Sequence, residues 1–278
     1  MSFIKSKKQT VIIFISLLFF LCTAWMIKGS IQANKLLSLG EKCLEEKSYE
    51  EAVLAFNESM QIKSRNPDTY FGLIDAYIGH GDLDSATKVL HDCLNTFPNS
   101  KKLMENIETA YLNLAFAYKK VNRDQTITIL NEGLEKTYSV EIEDALIKEQ
   151  YSIGENALIE GDYNTAIKAF CDVLDLDFTC ELAYHRLAEA YLGKGERDSA
   201  IAIYQSGLRV YWANEYMSLK LAEIYVDLND YDSAIEVLEL AVLQYNSSNK
   251  LRNTLDTLKK LNPPGNSTGN LSGKGKMA

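Results

Sequence analysis

One short phrase recurs five times in the chain: KSYEEAVLAF from Lys47, GDLDSATKVL from Gly81, GDYNTAIKAF from Gly161, ERDSAIAIY from Glu196 and NDYDSAIEVL from Asn229. Its alanine sets a register. Ala52 and Ala86 are 34 residues apart, and the same spacing separates Ala166, Ala200 and Ala234. A fixed period of this size demands a repeat architecture, because a unit this short cannot bury its apolar face without a neighbour. Apolar residues return at three- and four-residue spacing over residues 31–261, and no run alternates with period two. The spacing therefore predicts an all-α chain of stacked helix-turn-helix units.

Each recurring residue type has a packing reason. Small residues at Gly40, Gly154, Ala188 and Ala222 suit a close approach between the two helices of a unit. A large side chain follows each alanine by four residues, at Phe56, Leu90, Phe170, Tyr204 and Leu238. Asp82, Asp162 and Asp230 stand where a side chain caps the second helix. In these residues and their 34-residue spacing the chain resembles the tetratricopeptide repeat family, over about residues 33–248. The resemblance implies a right-handed superhelical solenoid of six repeats, at about 33–66, 67–100, 101–140, 147–180, 181–214 and 215–248. The third is degenerate. Ala86 to Ala166 holds 12 residues more than two periods, and Thr126 replaces the alanine. Residues 249–261 read as a capping helix, and 262–278 as a disordered tail without an apolar pattern.

The N-terminus has a different character. A basic head (1–9) precedes 18 uncharged residues, 10–27, which span roughly 27 Å as a helix and suit a bilayer. This is expected to be a transmembrane signal anchor. Lys5, Lys7 and Lys8 precede the span and Lys28 alone follows at once. The positive-inside rule then places the N-terminus in the cytoplasm and the repeats on the extracytoplasmic side. Cleavage at the small-residue site CTA (22–24) is the alternative, and it gives a secreted protein.

Between the two ends, 23 basic and 38 acidic residues leave a charge of −15. Such a body is expected to repel nucleic-acid phosphates and anionic lipid headgroups, which excludes nucleic acid as the expected partner. No Cys-x-x-Cys, spaced histidine pair or glycine-rich phosphate loop occurs, so neither a metal, a small-molecule cofactor nor an enzyme activity is expected. The informative feature is a column. In successive first helices the ninth position holds Glu41, Asp75, Glu155, Glu189 and Glu223, and the fifth holds Leu37, Phe71, Tyr151, His185 and Leu219. The family resemblance implies that the ninth position faces a concave, peptide-binding groove. These ten residues are therefore the expected site, and a protein or peptide segment with basic and apolar residues is the expected partner. Acids there would repel the acidic chaperone tails that some tetratricopeptide groove surfaces hold. The overall expectation is a membrane-anchored scaffold, with a structural or chaperone-like subunit of an envelope or secretion assembly as the alternative.

Overall fold

The computed structural model describes residues 2–262 apart from 64, 65, 99, 100, 213, 245 and 246, with the backbone alone at 2–15, 101, 102 and 105. The tail expected to be disordered lies outside the described residues from 263 onward. Among the described residues there are thirteen α-helices and no strand. They divide into two compact units that meet within one helix, between Leu146 and Ile147.

The first unit contains α1 (Ser2–Glu45), α2 (Tyr49–Ile62), α3 (Pro67–His80), α4 (Leu83–Thr96), α5 (Lys101–Tyr118), α6 (Arg123–Thr137) and the start of α7 (Val140–Glu160). α5 and α7 are long, at 18 and 21 residues, so the surplus between Ala86 and Ala166 lengthens helices and adds no loop. The α1–α2 and α3–α4 turns each place one residue in the left-handed region, whereas the α5–α6 turn, one residue shorter, places none there. Gly81 does so at φ 88°, and its N–H bonds to Ile78 while that of Asp82 reaches back to Tyr77. That double bond satisfies carbonyls otherwise orphaned at the helix end, and glycine adopts the geometry without a Cβ clash. Lys47, at the equivalent turn, adopts φ 58° without that freedom. The Asp82 carboxylate then accepts the N–H of Ser85 and caps α4. Ala52 and Ala86 are fully buried, and Thr126 in the degenerate repeat is 2% exposed. Phe56 fills the space beside Gly40, where an added Cβ would lie 2.6 Å from its ring. Burial of such a phenyl ring is worth about 1.5–3 kcal/mol.

The second unit contains the rest of α7, then α8 (Tyr163–Leu176), α9 (Glu181–Lys194), α10 (Arg197–Val210), α11 (Glu215–Asp227), α12 (Tyr231–Gln244) and α13 (Asn249–Leu261). The same devices return. Gly161, Gly195 and Asn229 take the left-handed turn position, and Asp162 and Asp230 cap the helices that follow. Ala166, Ala200 and Ala234 are fully buried, as are Phe170, Tyr204 and Leu238. At the C-terminal end α13 lays Leu251, Leu255 and Leu258 against Ala234, Leu238 and Ala241 of α12. That apolar stripe would otherwise face water.

α1 stands apart. It runs 44 residues without a break, about 66 Å, and continues from the apolar N-terminal stretch straight into the first repeat. From Ala33 onward it has buried positions, but Leu17, Leu18, Phe19, Phe20, Leu21, Trp25, Met26 and Ile27 are all exposed, on every face. By length and composition this helix can cross a membrane.

Candidate functional site

The first helices of successive repeats lie side by side in each unit, and they carry the residues named from the sequence. In the first unit α1, α3 and α5 enclose a hollow of about 300 Å³ lined by Glu41, Leu44, Phe71, Asp75, Thr109 and Asn113, among others. The structure thus brings Glu41, Phe71 and Asp75 together. Leu37 does not join them; it packs half-buried against the cluster around Phe56 and Leu73. Asp75 is open to solvent but crowded by the walls of the hollow, and this burial raises its carboxyl pKa, opposed by a hydrogen bond from Asn113. Among the described residues no salt bridge reaches Glu41 or Asp75. A second hollow, about 380 Å³, continues past Asp75 to Phe116, Lys120 and Val121. Phe116 is 64% exposed and stands, in the shortened third repeat, where the others have an acid.

In the second unit the same column meets cations. Arg186 of α9 reaches Glu155 of α7 through Nε at 2.8 Å, and Glu189 on its own helix through Nη1, also at 2.8 Å. It also donates to the Tyr151 hydroxyl, and its pKa rises because Glu189 and Tyr151 accept its hydrogen bonds. Tyr151 packs edge-on against Phe170, with ring centroids 5.5 Å apart. His185 is held from three directions. Its Nδ1 lies 3.1 Å from the buried Tyr204 hydroxyl, and its Nε2 lies 2.9 Å from the Tyr216 hydroxyl and 3.3 Å from Glu189. Burial lowers its pKa below the usual 6.5, with Glu189 acting in the opposite sense. Glu223 is paired with Lys220 at 2.9 Å. Leu219 and Glu223 line a separate hollow of about 360 Å³ with Tyr216, Lys220, Val226 and Lys250.

Within each unit the acids of the column stand on neighbouring first helices but are differently neutralised. The residues that decide this, Asn113, Arg186 and Lys220, were not singled out from the sequence. They were findable there, since each stands three residues before a position of the column; stacking sets Asn113 and Arg186 against the column residue of the preceding repeat, while Lys220 pairs with Glu223 on its own helix. Gly72 occupies the same place before Asp75, where an added Cβ would lie 2.4 Å from the Phe56 ring, so no cation meets Glu41 from there. Chemically, these faces offer carboxylates, aromatic rings and paired cations for holding a chain segment.

Comparison with known proteins supports the tetratricopeptide resemblance. Tetratricopeptide repeat models match residues 44–107, 183–210 and 217–246. Among solved structures, the chain is similar to the TPR2AB domain–pHSP90 complex of yeast Sti1, at 17% identity and TM-score 0.36, over 82% of this chain and 97% of that one. It is also similar to the MamA protein, at 19% identity and TM-score 0.37, over 64% and 91%. The TPR domain of P58(IPK) matches at 15% identity and TM-score 0.34, over 83% and 65%. No curated protein matches.

Proposed function

We propose that this protein is a membrane-anchored scaffold whose first-helix faces hold a segment of a partner protein rich in basic and apolar residues. The observation that carries the reading is the convergence of Glu41, Phe71 and Asp75 on one hollow with no cation paired to either acid among the described residues. A lysine or arginine of the partner supplies the missing charge there, and Phe71 offers its ring to the neighbouring apolar side chain or to the cation itself. The second unit contributes differently. Its acids are already paired, so Tyr151, His185, Leu219 and their neighbours supply amphipathic contact area more than attraction. The exposed apolar face of α1 over residues 17–27 has a natural cover in lipid, which makes α1 the anchor. The lysine bias before it directs the repeats to the extracytoplasmic side.

The test is the binding kinetics of defined peptides to the full chain at two salt concentrations. Peptides alternating lysine with leucine or phenylalanine are expected to bind, and their glutamate counterparts are not. The double variant Glu41→Gln, Asp75→Asn should slow association about tenfold at low salt and flatten its salt dependence. The triple variant Glu155→Gln, Glu189→Gln, Glu223→Gln should do so less. Tyr151→Ala should act chiefly on dissociation. Equal binding of the basic and acidic peptides would remove the reading. Sidedness is tested separately, by protease added outside spheroplasts, which should digest the repeats and spare the head.

A further inference from the structure

Because α1 has no break between its apolar stretch and the first repeat, one end of the first unit is tied in position to the end of that stretch. α2 returns along α1 and closes on it there. Ser59 Oγ donates to the Ala33 carbonyl at 2.9 Å, Lys63 Nζ donates to Ser30 Oγ at 3.4 Å, and a methyl on Gly29 would touch Ile62 at 3.5 Å. Lys28 and Gly29 directly follow the span read from the sequence, so the α2 C-terminus lies within about one helical turn of it. The same end extends through α3 to α4, since Tyr70 stacks edge-on against Phe97 at 5.6 Å and its hydroxyl lies 3.5 Å from that of Thr96. α5 then opens with Lys101 and Lys102.

The connections at this end carry an unusual charge for so acidic a body. Residues 61–66 hold Lys63 and Arg65 and no acid, and residues 97–102 hold Lys101 and Lys102 and no acid. The third such connection, 136–141, is balanced by Lys136 and Glu141. In the second unit the equivalent stretches have turned acidic, with Asp177 and Glu181 in 177–181 and Glu215 in 211–215, and neither has a lysine or arginine. The opposite end of the first unit is acidic in its first two turns, with Glu45, Glu46, Glu50 and Glu51 around Lys47, then Asp82 and Asp84, and basic in its third, where Lys119, Lys120 and Arg123 outnumber Asp124. Among the connections at the membrane-proximal end, basic charge is thus greatest in the two nearest the apolar stretch, and the α12–α13 connection, 245–250, has Lys250 alone. Among the acids near that end, Asp68 lines the hollow between the first helices.

We propose that this edge of the first unit, with Lys28, Lys63, Lys101 and Lys102, docks on the anionic headgroup layer of the membrane that α1 enters. The inference rests on the anchor reading above. α1 acts as a stiff post, and the basic edge fixes the unit's tilt upon it. Each lysine brought to an anionic surface strengthens the contact about fivefold at low salt. The acidic turns around Lys47 and Asp82, at the opposite end, are repelled from the same surface and favour this orientation.

The full chain, reconstituted into phosphatidylcholine vesicles with or without phosphatidylglycerol, tests this by flotation and amide hydrogen exchange. The protein should float with both vesicles. Residues 61–66 and 97–102 should exchange several-fold more slowly on the anionic vesicles, and residues 45–51 equally on both. The difference should disappear at high salt and in the variant Lys63→Gln, Lys101→Gln, Lys102→Gln, which should still float. Flotation with equal exchange on the two vesicles overturns the docking alone. Failure to float with either overturns the anchor, and the docking with it.

Discussion

The two units present the same ladder of acids on their first helices, yet they differ in field. Glu41 and Asp75 stand open around a hollow, with Gly72 and Asn113 at the places where a cation would sit. Glu155, Glu189 and Glu223 are paired with Arg186 and Lys220. A column of like residues is thus no measure of surface charge. Whether each carboxylate attracts a partner or serves the fold is decided by the residue three before it on its own helix and by the neighbour one period away.

The comparison can be broken most forcefully in the core. Ala200 is fully buried beside Tyr204, and Ala200→Leu should overpack the second unit by about 1–3 kcal/mol. Thr126, buried in the first unit with its hydroxyl donating to the Asn122 carbonyl, is already larger than alanine. Thr126→Leu adds less volume and should cost less. Denaturant titration of both variants checks the order, and equal losses would mean that the alanine register does not set tolerance.

The next effect is electrostatic. Arg186→Met leaves Glu155 and Glu189 facing each other without a counter-charge. The three side chains are about a third exposed (34%, 29% and 35%), so solvent screening trims the cost to about 1–2 kcal/mol. A double variant that also carries Glu155→Gln should recover part of it. No recovery would make the pairing incidental.

A smaller effect follows from His185. Burial holds its folded pKa below 6.5, so as pH falls the unfolded chain takes up the proton first. The associated stability is complete above 6.5 and is lost as pH falls through 6.5 toward the lower folded value. Melting temperature should decline over that range, and less so in His185→Gln. Identical profiles would remove His185 as the source of the decline.

The smallest change belongs to the open acids. Asp75 has a raised pKa, so its folded form binds a proton more readily than the unfolded chain does, and its ionisation opposes folding. This penalty is absent below the usual carboxyl value of 3.8 and grows as pH rises through the folded pKa. Asp75→Asn should therefore change stability by no more than about 0.5 kcal/mol at neutral pH, in the stabilising direction. Thermal unfolding at neutral and acid pH measures it; a clear loss at neutral pH would mean that Asp75 has a cation partner after all.

The sequence alone determined that this chain is helical and repeated. A 34-residue alanine spacing is a steric statement, because only a methyl-sized side chain fits where paired helices touch, and the spacing repeats that contact at a fixed phase. The turns were legible for the same local reason, as an aspartate or a glycine satisfies groups within a few residues of itself. Tertiary structure decided three other things. It continued α1 unbroken into the first repeat, a choice no residue between Ile27 and Ala33 announces. It turned Leu37 toward Phe56 and left Phe71 at the hollow, although both hold the fifth position. It also set Arg186 against Glu155, residues 31 apart in the chain, and left Glu41 facing glycine. Local steric rules depend on near neighbours and survive in a linear string. Pairing across stacked repeats depends on which side chains the stacking brings within a few ångströms, and that distance exists only in the folded chain.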